Sequence, residues 1–150
     1  MAKRVKIKID DNSSLREELD AIYEEKTQAQ LAQWALQLAK HILVLFDYNI
    51  ASDEIIQNGF SVNEAWQKGE ARMYDVRQAG FKVHQLAKDC SDKGIQAAFR
   101  VAGQAIGTGH MREHAMVASD YAVKAINIKF PNDKEAVTRE RYWQIETLRK

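Results

Sequence analysis

Helix-start signals recur along this 150-residue chain while helix breakers are nearly missing, a combination that leaves few architectures besides an all-helical one. Pro131 is the sole proline. Ser14-x-x-Glu17, Thr27-x-x-Gln30 and Ser61-x-x-Glu64 have the capping-box form, in which a hydroxyl accepts from the third helical N–H and the acid or amide reaches back to the cap. Asn132-x-x-Glu135 is a variant with Asn as the cap. Each box precedes apolar residues spaced three and four apart, as one buried helix face requires.

The second box opens a helix expected over about 27–48, with Leu31, Ala35, Leu38, Ile42 and Leu45 as its stripe and Trp34, Leu36, Leu43 and Phe46 on its flanks. Further stripes run through Met73, Val76, Gly80, Val83, Ala87 and Cys90, and through Ile95, Ala98, Phe99, Ala102 and Ile106. A helix from Ile95 unbroken to Ile128 would be about 50 Å long, more than a domain of this size is wide. The spacing therefore predicts a break at Gly107-Thr108-Gly109, with Thr108 capping a helix that carries Met111, Ala115, Ala118, Ala122 and Ala125. A last helix over about 133–148 offers Val137, Tyr142, Ile145 and Leu148. Residues 52–69, holding Ile55-Ile56, Gly59 and Val62 to Trp66, are expected as a bent connection. Val5 to Ile9 alternates like a strand, yet no second segment alternates to pair with it. Residues 1–12 are thus expected as an extended arm rather than an edge pairing with a second copy. The expectation is a single all-α domain over 1–150, with six or seven helices around one core.

A formal charge of +1 gives no support to a nucleic-acid partner. The one cysteine, Cys90, has no internal disulfide partner and ends an apolar stripe, which fits a buried thiol in a reducing cytoplasm. MAKRVKIKID lacks the apolar stretch of a secretory signal, and Ile42–Phe46 is far too short to span a bilayer, so no membrane partner is expected. Trp34, Trp66 and Trp143, without interleaved Arg or Lys, read as packing rather than a base-stacking platform.

The candidate chemistry is concentrated in Ala98–Ala125. His110-Met-Arg-Glu-His114 fits the H-x-x-E-H zinc-peptidase pattern, with Glu113 as the would-be base. The pattern needs a third ligand from downstream, where only Glu135, Glu140 and Glu146 on a surface-type helix remain, and Arg112 would place a positive charge beside the metal. A small metal-dependent enzyme using His110 and His114 is accordingly the alternative, and no cofactor is expected. Gly103-Gln-Ala-Ile-Gly107-Thr-Gly109 follows no strand and lacks the Gly-Lys-Ser/Thr ending of a phosphate loop. Gly103 and Gly107 instead form a surface for close helix approach, with the Ala face from Ala115 to Ala125 as its expected partner. Neither Cys90-Ser91 nor Ser119-Asp120 carries a nucleophile motif. His41 joins six further polar residues as candidates for a buried network or a pocket: His84, Arg100, Gln104, His110, His114 and Tyr121. Arg100 and Gln104 stand one turn apart, as do His110 and His114, so facing helices could present all four to one spot.

Ala102-Gly-Gln-Ala-Ile-Gly-Thr-Gly-His110, followed by His114-Ala115 and Tyr121-Ala122, resembles the signature of the Imm5-like family of bacterial immunity proteins, approximately A-G-Q-A-x-A-T-A-H, x-x-x-H-A and x-x-A-x-x-Y-A-x-x-A. Trp34-Ala35, Leu45-Phe46, the helix through His84 and Tyr142-Trp143-Gln144 are similar in order and spacing, so the resemblance covers about residues 27–148. It implies an all-α protein that binds a cognate protein toxin of a polymorphic toxin system, and the polar set His84, Arg100, Gln104, His110, His114 and Tyr121, singled out above by spacing, supplies the candidate binding residues. A second copy of the chain is a further candidate partner. The sequence departs from the pattern at Gly107 and Gly109, where Ala is usual, which implies a more flexible turn before His110.

Overall fold

Side-chain oxygens open most of the helices, and the identity of each cap fixes where its helix begins. A computed structural model of the chain describes residues 5–150. It contains α1 (Ser13–Glu24), α2 (Gln28–Leu45), α3 (Glu54–Gln67), α4 (Met73–Lys88), α5 (Lys93–Gly107), α6 (His114–Lys129) and α7 (Lys134–Arg149). A single 3-10 turn, Ile50–Ser52, precedes α3, and no strand occurs among the described residues.

The box at Thr27 forms as expected: its hydroxyl accepts from the Gln30 N–H at 3.1 Å, and Gln30 accepts from the Thr27 N–H at 2.9 Å. The other three boxes are displaced. Asn12, two residues before Ser14, caps α1 by accepting from the Leu15 N–H at 3.1 Å. Asp133 caps α7 while Asn132 takes a left-handed φ of 60°, a conformation Asn tolerates better than most residues. Asp53 caps α3, which leaves Ser61 in mid-helix. The connection expected over 52–69 is therefore one unbroken helix after a short turn. Gly59 serves packing there rather than a bend, because a Cβ at that position would collide with Cδ1 of Ile106.

The chain breaks after Gly107 as the spacing predicts, but Thr108 closes α5 instead of opening α6. It is buried as the C-cap, its N–H donating to the Ala105 carbonyl. The first N–H groups of α6 are taken by the carbonyls of Met111, Arg112 and Glu113, so this helix starts without a side-chain cap.

α5 is the central element and lies against α2, α4 and α6, while α7 joins α1 to α6. The stripes read from the sequence supply the core: Leu31, Ile42, Val76, Val83, Ala102, Ile106, Ala118 and Ala122 are all inaccessible to solvent. Met73, Met111 and Tyr142, placed on apolar faces by spacing alone, are about half exposed instead, and Cys90 is half-buried at its helix end. Residues 5–11 form neither helix nor strand and bend at Ile7, with Val5, Ile7 and Ile9 half-buried and Lys6 and Lys8 exposed. The arm is held against α6 by Asn127, which accepts from the Asp10 N–H at 2.9 Å and donates to the Asp10 carbonyl at 3.0 Å. Residues 1–4 of the expected arm lie outside the described residues.

Candidate functional site

Three glycines on two helices make room for two histidine rings. A Cβ on Gly80 of α4 would stand 3.4 Å from the Gly103 carbonyl oxygen and 3.7 Å from the Gly107 nitrogen, so the backbones of α4 and α5 meet there. One turn on from Gly80, the ring of His84 lies on Gly103, where a Cβ would come within 2.6–2.8 Å of three ring atoms. From the other side His114 of α6 covers Gly107, with Cδ2 at 3.2 Å from the corresponding Cβ position. Gly103 is thus partnered by α4 rather than by the Ala face of α6, because an imidazole fills the space its missing side chain leaves.

Arg100, one turn before Gln104, donates from Nη1 to Nδ1 of His84 at 3.0 Å. That nitrogen must then carry no proton, which leaves the His84 proton on Nε2. The pKa agrees in direction: burial first, then the positive Arg100, His114 and Lys88, push His84 down to about 4. Nδ1 of His114 lies 2.6 Å from Gln104 Oε1, an acceptor, so this ring carries its proton on Nδ1. Burial, then His110 and Lys6, lower the His114 pKa, opposed by Glu113. The His110 ring is 5.1 Å from that of His114.

The structure therefore brings together five of the six candidate residues, His84, Arg100, Gln104, His110 and His114, from α4, α5, α6 and the loop before α6. Tyr121 stands two turns along α6 from His114, half-buried, with the Lys124 ammonium 5.9 Å from its ring and no hydrogen bond to the other five. Arg112 is not beside the histidines as the sequence order suggested. It donates from Nη2 to the Tyr23 and Lys26 carbonyls at 3.0 and 2.9 Å and lies over the Tyr23 ring, tying the loop to the α1–α2 turn. Among the described residues no three His, Cys, Asp or Glu side chains are grouped to hold a metal ion. Gly107 and Gly109 both have packing roles, since a Cβ on Gly109 would come 2.8 Å from Val76 and 3.2 Å from Trp66.

Two features escaped the sequence reading. On α4, Tyr74, Arg77, Phe81, His84 and Lys88 follow one another at steps of three and four, on a face where an amphipathic helix ordinarily carries only polar residues. Tyr74 is 58% and Phe81 50% exposed, and the Arg77 guanidinium lies 5.2 Å from the Phe81 ring. Reading the row one residue on from the Met73–Cys90 stripe, about 100° around the helix, would have found them.

The second is a buried charge network. Arg141, fully inaccessible, donates to both oxygens of Asp11 at 2.8 and 2.7 Å, to Asp120 at 2.8 Å, to Gln144 at 2.9 Å and to Ser119 at 3.3 Å. Arg16 forks onto the same Asp120 at 2.9 and 3.1 Å and pairs with Asp20. Burial alone would lower the Arg16 pKa, but Asp120 and Asp20 outweigh it and hold the guanidinium above its ordinary value. His41 belongs to the edge of this network: its Nε2 meets Glu140 at 2.8 Å while its ring stacks on Trp143 at 3.9 Å. No motif signals the network, because its members come from the arm, α1, α6 and α7. Two concavities, about 680 Å³ between the arm and the start of α7 and about 460 Å³ between α2 and α7, are lined by none of the six candidate residues.

The fold and this cluster define an all-α helical bundle with a basic, half-buried polar site on α4–α6. The family model described as Imm-5 like putative immunity protein matches residues 21–150, and the chain belongs to that family. The match begins within α1, so the arm with Asp11 and the first turns of α1 with Arg16 precede the matched residues. No curated protein and no solved structure matches the chain.

Proposed function

We propose that this protein binds a cognate protein toxin of a bacterial polymorphic toxin system and neutralises it by covering its surface, without turnover of its own. Membership of the immunity-protein family is the observation that carries this reading. The docking surface is assigned to His84, Arg100, Gln104, His110 and His114, extended by the exposed Tyr74, Arg77 and Phe81 of α4 and by Met111, with Tyr121 at its edge. Tyr and Arg around a half-buried polar centre have the composition of interface anchor points. The α4–α5 contact through Gly80 gives such a surface a rigid base, which reduces the ordering cost of association. The assigned place of action is the cytoplasm of the producing cell. Among the described residues no helix is long and apolar enough to cross a membrane.

The test is co-expression with the product of the adjacent gene in a bacterial host. The expected outcome is rescue of growth and recovery of a one-to-one complex. Failure of both, with a well-folded protein in hand, would overturn the proposal. The reading as a metal-dependent enzyme predicts stoichiometric metal lost on replacing His110 or His114, whereas the docking reading predicts unchanged metal content.

A further inference from the structure

Arg100 is a half-buried guanidinium that no carboxylate pairs with among the described residues. Among the described residues its hydrogen-bond partner is the lone pair of His84, a neutral ring, so most of its N–H donors and its charge meet no acceptor there. The other polar groups around it are donors too. Nε2–H of His84 and the amide NH2 of Gln104, whose oxygen is occupied by His114, have no acceptor among the described residues. The charges bearing on the two rings are mostly positive: Arg100 and Lys88 act on His84 and Lys6 on His114, with the acidic Glu113 beside His114 opposing them.

A planar fork of donors with unspent positive charge and a low-dielectric floor of glycine backbone matches a planar two-oxygen anion. On α4, Phe81 stands one turn before His84, with Arg77 against its ring and the exposed Tyr74 one turn further along the same face, so the row continues from the receptor as contact area that a free ion would not need but a protein surface would use. We propose that Arg100, with His84 and Gln104, is a receptor for a side-chain carboxylate, an aspartate or glutamate presented by the protein partner. The inference rests on the toxin-binding reading for the identity of the partner, but not for the chemistry of the receptor.

Two experiments separate these parts. In the first, the ring resonances of His84 and His114 are followed by NMR while sodium acetate replaces sodium chloride at constant ionic strength, with inorganic phosphate as a parallel probe. Acetate is expected to give a saturable shift at His84 and to raise the pH at which that ring takes up its proton, both lost in Arg100→Gln. No shift with acetate, or a shift with phosphate alone, would overturn the carboxylate receptor.

In the second, affinity for the product of the adjacent gene is compared among the unmutated protein, Arg100→Gln, Arg100→Lys and the exposed control Arg139→Gln, with circular dichroism confirming that each folds. Arg100→Gln is expected to weaken binding at least about tenfold and Arg100→Lys by less, with the control unchanged, as truncation of one partner of a desolvated charge pair does. Binding that is equal in all four would overturn the docking role of the receptor while leaving the immunity reading intact. A chain that binds acetate through Arg100 but not the toxin would overturn the immunity reading and leave the receptor standing.

Discussion

Arg141→Met removes the most heavily bonded side chain in the buried network and exchanges it for an unbranched apolar one that fills the space of its stem. Arg141 makes five hydrogen bonds through its five N–H groups, two of them a fork onto Asp11 and one onto Asp120. Loss of a buried ion-pair partner costs about 3–5 kcal/mol because the surviving carboxylate keeps its desolvation penalty. Asp120 keeps the two bonds from Arg16, which moderates the loss on that side. Asp11, whose side chain is 13% exposed, has no second cation among the described residues and recovers hydration there as the arm lifts from α7. Taken together the substitution is expected to cost about 3–5 kcal/mol, or a fall in Tm of about 6–20 °C for a chain of this length. Urea unfolding measures the first and calorimetry the second. Hydrogen exchange should show faster exchange at the Asp10 N–H, which is held to Asn127 in the folded arm. The exposed pair of Arg149 with Glu18 is the control, and Arg149→Met should change stability by less than about 1 kcal/mol. A loss at Arg141 as small as that at Arg149 would refute the claim that the network anchors the arm.

Thr27→Ala should cost about 1 kcal/mol through the lost capping box, whereas Ser61→Ala, with the same sequence signature but in mid-helix, should stay within about 0.5 kcal/mol by urea titration. Gly103→Ala should eject the His84 ring from its seat, so that burial first, and Arg100 second, no longer suppress its protonation and its pKa, followed by NMR, rises from about 4 toward the ordinary value. Because the folded pKa of His84 lies below the unfolded 6.5, the unfolded state binds more protons between these values. Stability is therefore complete above about pH 6.5 and declines as pH falls toward 4, by about 1–3 kcal/mol after allowance for solvent screening, and His84→Gln should flatten that stretch of the urea-midpoint profile. Dialysis against a chelator should leave the melting temperature unchanged, since the described residues offer no three-ligand group around His110 and His114.

The local signals of this chain were legible because helix propensity, spacing and capping act over a few residues. They carried the all-helical bundle of six or seven helices, a core drawn from the expected stripes, the break after Gly107 and the formed box at Thr27, while α3 reads only as a bent connection. Caps that depend on which of several neighbouring oxygens wins, such as Asn12 over Ser14 and Asp133 over Asn132, were decided by the path of the chain into each helix. The pairing of polar residues one turn apart placed Gln104 with His114, and Arg100 beside His84 followed from the same logic only once the neighbouring helix was known. That Gly103 seats an imidazole, and not another helix's alanines, is a fact of how α4 crosses α5 at Gly80, which no sequence spacing encodes. The same holds for Arg141. Its partners stand 130 residues away at Asp11 and 21 away at Asp120, and a charge can be buried in such a place only because tertiary packing delivers both carboxylates to it at once.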